Sequence, residues 1–358
     1  MTKRRDTMAA ANRNSGASAF AETFSISGRA VGGGARVFVI AEAGVAHFGD
    51  AGKAAALVDL AAEAGADAFK TQAFSTEALV SSRLPEWRER LKPKEVGFDF
   101  IARMKARCDE RGIVFLCTAH DETVLPWLDA LQVPAFKIGS GERGNAPFLS
   151  AIAARGKPII LSTGMYGMGD VTDALAALSR GGCREAALLH CVTSYPTPYD
   201  QVNLRAMEAL RRVFPGPVGY SDHTGGGHAV LAAVALGAGI VEKHITLDFN
   251  VPNAQDWKVA AGPETFPALV RAIREVEAAL GTAEKIPQPC EESGMHWALK
   301  SLVAARDLAA GTVLDAGMLA AKRPGGGIAP ARLGDVIGRR LCRALSADDA
   351  VSWDDLQS

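Results

Sequence analysis

Nearly every short apolar run after residue 36 ends in side chains that could do chemistry. Glu42 closes VFVIAE, Lys70 and Gln72 close DAFKTQ, and Thr118 closes IVFLCT. Lys137, Ser140 and Glu142 punctuate AFKIGSGE, and Ser162 and Thr163 close PIILST. His190 closes AALLH, Ser221, Asp222 and His223 close PVGYSDH, and Glu242, Lys243 and His244 close GIVEKH. One run ending in a charge is ordinary. A charge or hydroxyl at the end of almost every run is hard to ascribe to stability, because a buried charge costs several kcal/mol unless it is paired or binds something.

Two chemistries suit these types. His223 and His244, beside Asp222 and Glu242, could share one ion. Two imidazoles with open positions and no thiolate nearby suit a divalent cation that takes further oxygen ligands, manganese first, with magnesium or cobalt as alternatives. Such an ion could polarise a carbonyl; the competing reading for each histidine is a satisfied core imidazole. Lys70 and Lys137 sit within apolar runs. With Thr118, Ser140 and Ser221 they form a cationic, hydroxyl-rich set fit for a phosphate and a carboxylate, unless they are structural ion pairs with Glu42 or Glu142. The turn His223-Thr224-Gly225-Gly226-Gly227 could add backbone N–H donors ahead of a helix.

The elements that must position them follow from periodicity. Eight β-branched runs, starting near residues 37, 67, 113, 135, 158, 186, 217 and 239, alternate with amphipathic Ala/Leu-rich stretches, the pattern of repeated βα units. Eight such units in about 245 residues predict a (β/α)₈ TIM barrel over 36–282, whose chemistry is built where the strands end. The rival, a doubly wound sheet, lacks a G-x-G-x-x-G after its first strand. Gly281 stands where the last helix would be capped. A linker over 283–300 leads to a small β-rich unit over 301–358 that needs docking to complete its core, and residues 1–35 are expected to be a flexible extension.

Composition narrows the partners. The 39 basic and 40 acidic residues among 358 leave a formal charge of -1, with no electrostatic case for nucleic acid or an anionic membrane. The longest apolar stretch, 229–241, is too short to span a bilayer. The opening MTKRRD lacks the apolar core of a secretory signal. Six cysteines without a C-x-x-C pair read as free thiols of a cytoplasmic protein.

The motifs IAEAGVAHFGD, DAFKTQAF, PAFKIGSGE, GKPIILSTGM, LLHCVTSYPTPYDQVNLRAM, VGYSDHTGG and VEKHITLD, in this order and followed by SLVAARDLAAGTV and KRPGGGI, resemble the sialic acid synthases from about residue 36 to the end. The resemblance implies an enzyme that condenses phosphoenolpyruvate with an open-chain N-acylated amino sugar, N-acetylmannosamine or a 2,4-diacetamido-trideoxyhexose. It implies a metal on His223 and His244, and phosphoenolpyruvate on Lys70, Thr118, Lys137, Ser140 and Ser221. Glu42, Gln72, Tyr195 and Asp256 would hold the sugar, and Glu142 would lie beside it. The tail would be an antifreeze-like (SAF, β-clip) lid that crosses a swapped homodimer, so that Arg323 reaches the N-acyl group in the other subunit. C3 of phosphoenolpyruvate would attack the aldehyde, water would add at C2 with Glu242 or Glu42 as base, and phosphate would leave by C–O cleavage, with Lys137 part of the catalytic set.

The chain departs from the family on the sugar side. Ala46 and Phe48 replace two amides of the first loop, His120 stands where an aromatic is usual, and one extra residue leaves Gln255 or Asp256 for the acidic position. Ala46 and Phe48 suggest an acceptor with more methyl or acyl surface. A synthase acting on a phosphorylated aldose, or a non-catalytic sugar-binding barrel, stays open beside the main reading.

Overall fold

Strand pairing closes a ring. In a computed structural model that describes residues 20–357, β3 (Phe38–Gly44), β4 (Ala68–Ala73), β5 (Val114–Ala119), β6 (Phe136–Ile138), β7 (Ile159–Ser162), β8 (Ala186–His190), β9 (Val218–Asp222) and β10 (Ile240–His244) pair in parallel, and β10 returns to β3. The predicted TIM barrel is present with all eight expected strands. Helices such as Ala51–Glu63, Phe98–Arg111, Met168–Arg180 and Thr265–Leu280 pack outside it, each turning an apolar face inward. The last ends at Gly281, whose φ is +54°.

Alternation along each strand divides the apolar residues into two cores. Phe69, Phe115, Phe136, Leu161, Leu188 and Val241 face the helices. Ile40, Ala68, Leu116, Ala135, Ile160, Leu189 and Ile240 fill the barrel itself. That inner filling also includes Phe24, Ile26 and Val31, which the sequence reading placed in a flexible extension. This is a correction for the second half of the segment: β1 (Thr23–Ile26) and β2 (Arg29–Gly32) form an antiparallel hairpin through Ser27 and Gly28, both at positive φ, as a two-residue hairpin turn requires. Residues 1–19 lie outside the described residues. Buried Asp67 ties the hairpin down, meeting Arg29 at 3.0 Å, Arg36 at 2.6 Å and Arg274 at 3.0 Å, and accepting from the Val39 N–H at 2.9 Å.

A second compact unit begins at Thr282. Its β11 (Ser301–Ala304) and β12 (Leu319–Lys322) pair antiparallel, and Leu302, Leu308, Leu314, Ile328, Leu341, Leu345 and Val351 form its own core. The expected linker is partly structured: Glu292–Ala298 is helical, and the Gly325 N–H donates to the His296 carbonyl, so the segment belongs to this unit. No helix among the described residues is long and apolar enough to cross a membrane.

Candidate active site

The parity that fills the barrel with Ile40, Ala68, Leu116, Ala135, Ile160 and Ile240 also sends Glu42, Lys70, Thr118, Lys137, Ser162 and Glu242, two residues further along each strand, into the same lumen. Register completes the ring: Glu42 stands beside both Lys70 and His244, Thr118 beside Lys137, and Glu242 beside Ser221. Apolar layers therefore lie below and one charged layer lies at the C-terminal mouth, where barrels of this kind do their chemistry.

Four charges alternate in that layer. Lys70 Nζ lies 2.9 Å from Glu42 Oε2 and 3.5 Å from Glu242 Oε2, and Lys137 Nζ lies 3.4 Å from Glu242 Oε1. Lys70 donates to Thr118 Oγ1 at 3.2 Å, Lys137 to Ser162 Oγ at 2.8 Å, and Ser221 to Glu242 Oε1 at 2.9 Å. Lys70, Lys137 and Glu242 are each about 5% exposed or less. Burial would push Lys70 down, but Glu242 and Glu42 beside it raise it above its ordinary value. Lys137 has Glu242 close by and the Lys70 charge against it, so burial wins and lowers it. Glu242 is drawn the other way: burial raises it, yet Lys137, Lys70 and His244 together hold it at about 2. The sequence reading offered Glu142 as an alternative partner for the lysines, and the structure puts Glu242 there instead. Glu142 is half-buried on the rim and accepts from Asn145 Nδ2 at 2.8 Å.

The imidazoles form a second group. The ring centroids of His223 and His244 are 5.5 Å apart, with Tyr195 tilted over His223 at 4.2 Å and edge-on to His244 at 5.7 Å. His223 Nδ1 is 2.6 Å from the Val192 carbonyl, which only accepts, so Nδ1 carries the proton and Nε2 is a bare acceptor for the Tyr195 hydroxyl at 3.0 Å. Burial first, and His244 second, keep His223 neutral by lowering it to about 4. His244 Nδ1 is buried with no hydrogen-bond partner. A neutral ring whose Nε2 lone pair meets only the Tyr195 hydroxyl, with an orphaned ring nitrogen beside it, fits a divalent cation; no group of three potential ligands exists among the described residues. Asp222 is not available to it. With the parity of Tyr220, it faces the helical shell, where it accepts from Tyr220 and Lys243, and His190 similarly bonds the Val202 carbonyl.

On the third side Gln72 Nε2 donates to Glu42 Oε1 at 2.7 Å, and His120 Nε2 stands 3.2 Å from Gln72 Oε1, which must accept. Of the two residues left for the acidic position, Asp256 brings its carboxylate here. Its Oδ2 would be 3.0 Å from a Cβ on Gly44, and Gly44 has φ +55°, so a side chain there would be both strained and obstructed. Ser140 Oγ accepts from the Gly164 N–H at 2.9 Å and touches Cys191 Sγ at 3.2 Å. Sequence reasoning did not reach Gly164 or Cys191. Nor did it reach His47, wholly buried under the first loop, although a histidine between turn glycines was a visible signal. Arg323 is exposed in the second unit, its guanidinium 5.7 Å from the Trp297 ring centre.

Comparison with known proteins agrees with this fold. The NeuB family model matches residues 57–285 and the SAF domain model matches residues 300–357. An uncharacterised protein of Methanocaldococcus jannaschii is 42% identical over 94% of this chain and 99% of its own length. The N,N'-diacetyllegionaminic acid synthase of Campylobacter jejuni is 37% identical over 88% of this chain and 99% of its own. The solved N-acetylneuraminic acid (sialic acid) synthetase of Leptospira borgpetersenii has a TM-score of 0.71 at 34% identity, covering 76% of this chain and 95% of that one. With the barrel matched over most of its length and the C-terminal unit matched as a SAF domain, the chain belongs to the NeuB family.

Proposed function

We propose that the chain is a transferase that condenses phosphoenolpyruvate with the open-chain aldehyde of an N-acylated amino sugar, forming a nonulosonate of the sialic acid type and inorganic phosphate. The observation that carries the reading is the pair of buried lysines, Lys70 and Lys137, bonded to Thr118 and Ser162 and paired with Glu42 and Glu242 above the apolar layers of the lumen. Phosphoenolpyruvate brings a phosphate and a carboxylate to two ammonium groups, and Ser140 with the Gly164 N–H supplies further hydrogen bonds. Asp256, Gln72, Glu42 and Tyr195 are left for the sugar hydroxyls, with Glu142 on the rim.

His223 and His244 would hold a divalent ion, manganese first, which supplies polarisation of the aldehyde oxygen. The residues then account for the rest. Lys70 and Lys137 fix the enol so that C3 faces the aldehyde carbon, and the new C–C bond leaves C2 electron-poor. Glu242 or Glu42 takes the proton of the water that adds at C2. The C2–O bond to phosphate breaks as the C2 hydroxyl becomes the ketone and its proton leaves with the phosphate into the lysine and serine cradle, while the proton taken from water goes to the former aldehyde oxygen, which becomes the new hydroxyl. Lys137, Lys70 and His244 hold Glu242 well below the usual carboxylate range, which makes it a weak base in the free protein. As the substrate's charges engage Lys137 and Lys70, their hold on Glu242 weakens and its basicity rises. Arg323 would act from the second chain of a swapped homodimer.

Phosphate release is the direct test. With phosphoenolpyruvate, Mn²⁺ and a panel of N-acylated aldoses, release is expected with at least one sugar and none without sugar. Failure of every sugar would sink the reading.

A further inference from the structure

The condensation leaves His120 unused, yet its ring proton has only one place to be. The backbone N–H of His120 donates to the Ala73 carbonyl at 3.1 Å, extending the β4–β5 ladder by one residue. The side chain is partly buried, its ring centre 6.3 Å from that of Phe74. A Cβ on Gly139 would lie 3.7 Å from His120 Cε1 and 3.9 Å from the Thr118 methyl. The ring therefore stands where the Thr118, Lys137 and Ser140 side of the mouth meets Gln72 and Glu42.

Hydrogen-bond polarity runs one way through this corner. Glu42 is a carboxylate 2.9 Å from Lys70 and only accepts, so Gln72 turns its amide Nε2 to Glu42 Oε1 at 2.7 Å. Gln72 Oε1 is left facing His120 Nε2 at 3.2 Å, and an amide oxygen needs a donor there. Nε2 thus carries the proton. Burial first, then Lys70 and Lys137, keep the imidazole neutral by lowering it to about 4, so Nδ1 holds a bare lone pair. Nδ1 makes no hydrogen bond among the described residues and is not one of the polar atoms sealed from solvent. The second hydrogen of Gln72 Nε2 is also unengaged, and Gln72 lines a cleft of about 930 Å³, its open mouth included. A lone pair and an N–H on adjoining side chains suit a group that gives one hydrogen bond and takes another. In an N-acylated amino sugar, a hydroxyl does both through one atom.

We infer that His120 is a specificity residue for the acceptor: Nδ1 accepts a hydrogen bond from one sugar hydroxyl, while Nε2–H holds the Gln72 amide in place to donate to the same oxygen. The inference rests on the condensation reading and names a group the acceptor must bring. An apolar ring at this position would offer no lone pair and would leave Gln72 Oε1 without a donor.

The test uses the full chain with phosphoenolpyruvate, Mn²⁺, the N-acylated aldose that releases phosphate fastest, and its analogues lacking one hydroxyl each. In wild type, loss of one particular hydroxyl should lower kcat/KM about tenfold or more, because Nδ1 and the Gln72 N–H are then left unpaired. In His120→Phe the same loss should cost less than about threefold, with the penalties at the other hydroxyls as in wild type. His120→Gln keeps an N–H for Gln72 without the lone pair at Nδ1, and it should show the same selective loss even if His120→Phe folds poorly. Equal penalties in wild type and variants at every hydroxyl would overturn the inference. Nitrogen NMR of the free protein near neutral pH should find Nε2 protonated and Nδ1 bare; the opposite tautomer would also overturn it. Should no acceptor release phosphate, the condensation reading fails by itself. Titration of N-acetylmannosamine and of a 2,4-diacetamido-trideoxyhexose, with phosphoenolpyruvate present, then decides His120: an Nδ1 signal that moves with either sugar supports the role, and one that moves with neither overturns it.

Discussion

At the scale of single residues, the polar groups divide into those held for chemistry and those held for the fold. Glu42, Lys70, Glu242 and Lys137 balance one another, so the layer is neutral until a substrate redistributes its hydrogen bonds. His47 is of the other kind. It is fully buried, its Nδ1 accepts from the Gly49 N–H at 3.1 Å, and its ring packs 4.9 Å from Phe100. Burial lowers its pKa from 6.5 to about 4. Below pH 6.5 the unfolded chain therefore binds a proton that the folded chain refuses until about pH 4. Stability from this group is complete above pH 6.5 and is lost on acidification through that window, at about 1.4 kcal/mol per pH unit. Urea midpoints measured from pH 7.5 to 4.5 should fall less steeply for His47→Gln than for wild type. Parallel curves would mean that His47 is not held neutral.

At the scale of elements, the barrel separates stability from function along its axis. Ile26 of the hairpin is fully buried among Phe38, Val114 and Ile240 at the end opposite the charged layer. Ile26→Ala should cost about 2–5 kcal/mol in chemical denaturation, as large-to-small changes in a close-packed core do. Because the plug touches none of the charged layer, kcat for phosphate release at 25 °C should stay within about twofold; a large fall with little loss of stability would refute the division. The plug also marks where sequence reading ended. The eight barrel strands were legible because β-branched runs recur between helical stretches, and their polar ends could be counted off directly. The hairpin was not, because TFSI and RAVG are four-residue runs among glycine and serine, and what makes them strands is the open barrel end they cover. Within the site, the residue types were legible but their direction needed parity. Glu242 and His244 point into the lumen, while Lys243 between them points out to Asp222 at 2.5 Å. The Glu142 alternative failed for a related reason: it follows the strand in a short 3₁₀ turn, where alternation no longer applies.

At the scale of the whole molecule, the proposed lid would make the site a property of two chains. The barrel and the C-terminal unit each have their own core. That independence is what an exchange of the small unit between subunits requires. If Arg323 serves the site of the other subunit, lesions in the two units can complement. Glu242→Gln removes a group from the barrel layer, and Arg323→Ala removes the proposed contact to the N-acyl group; each homodimer then carries one lesion in every site. Random mixing of the two variants makes about half of the dimers mixed, and in a swapped dimer one site of each mixed pair combines an intact barrel with an intact lid. Phosphate release at acceptor concentrations well below KM should then recover to about a quarter of wild type. A lid that closes on its own barrel predicts no recovery at any mixing ratio, since every site keeps one lesion. The recovery measured after co-refolding thus separates the swapped arrangement from the unswapped one without reference to the identity of the sugar.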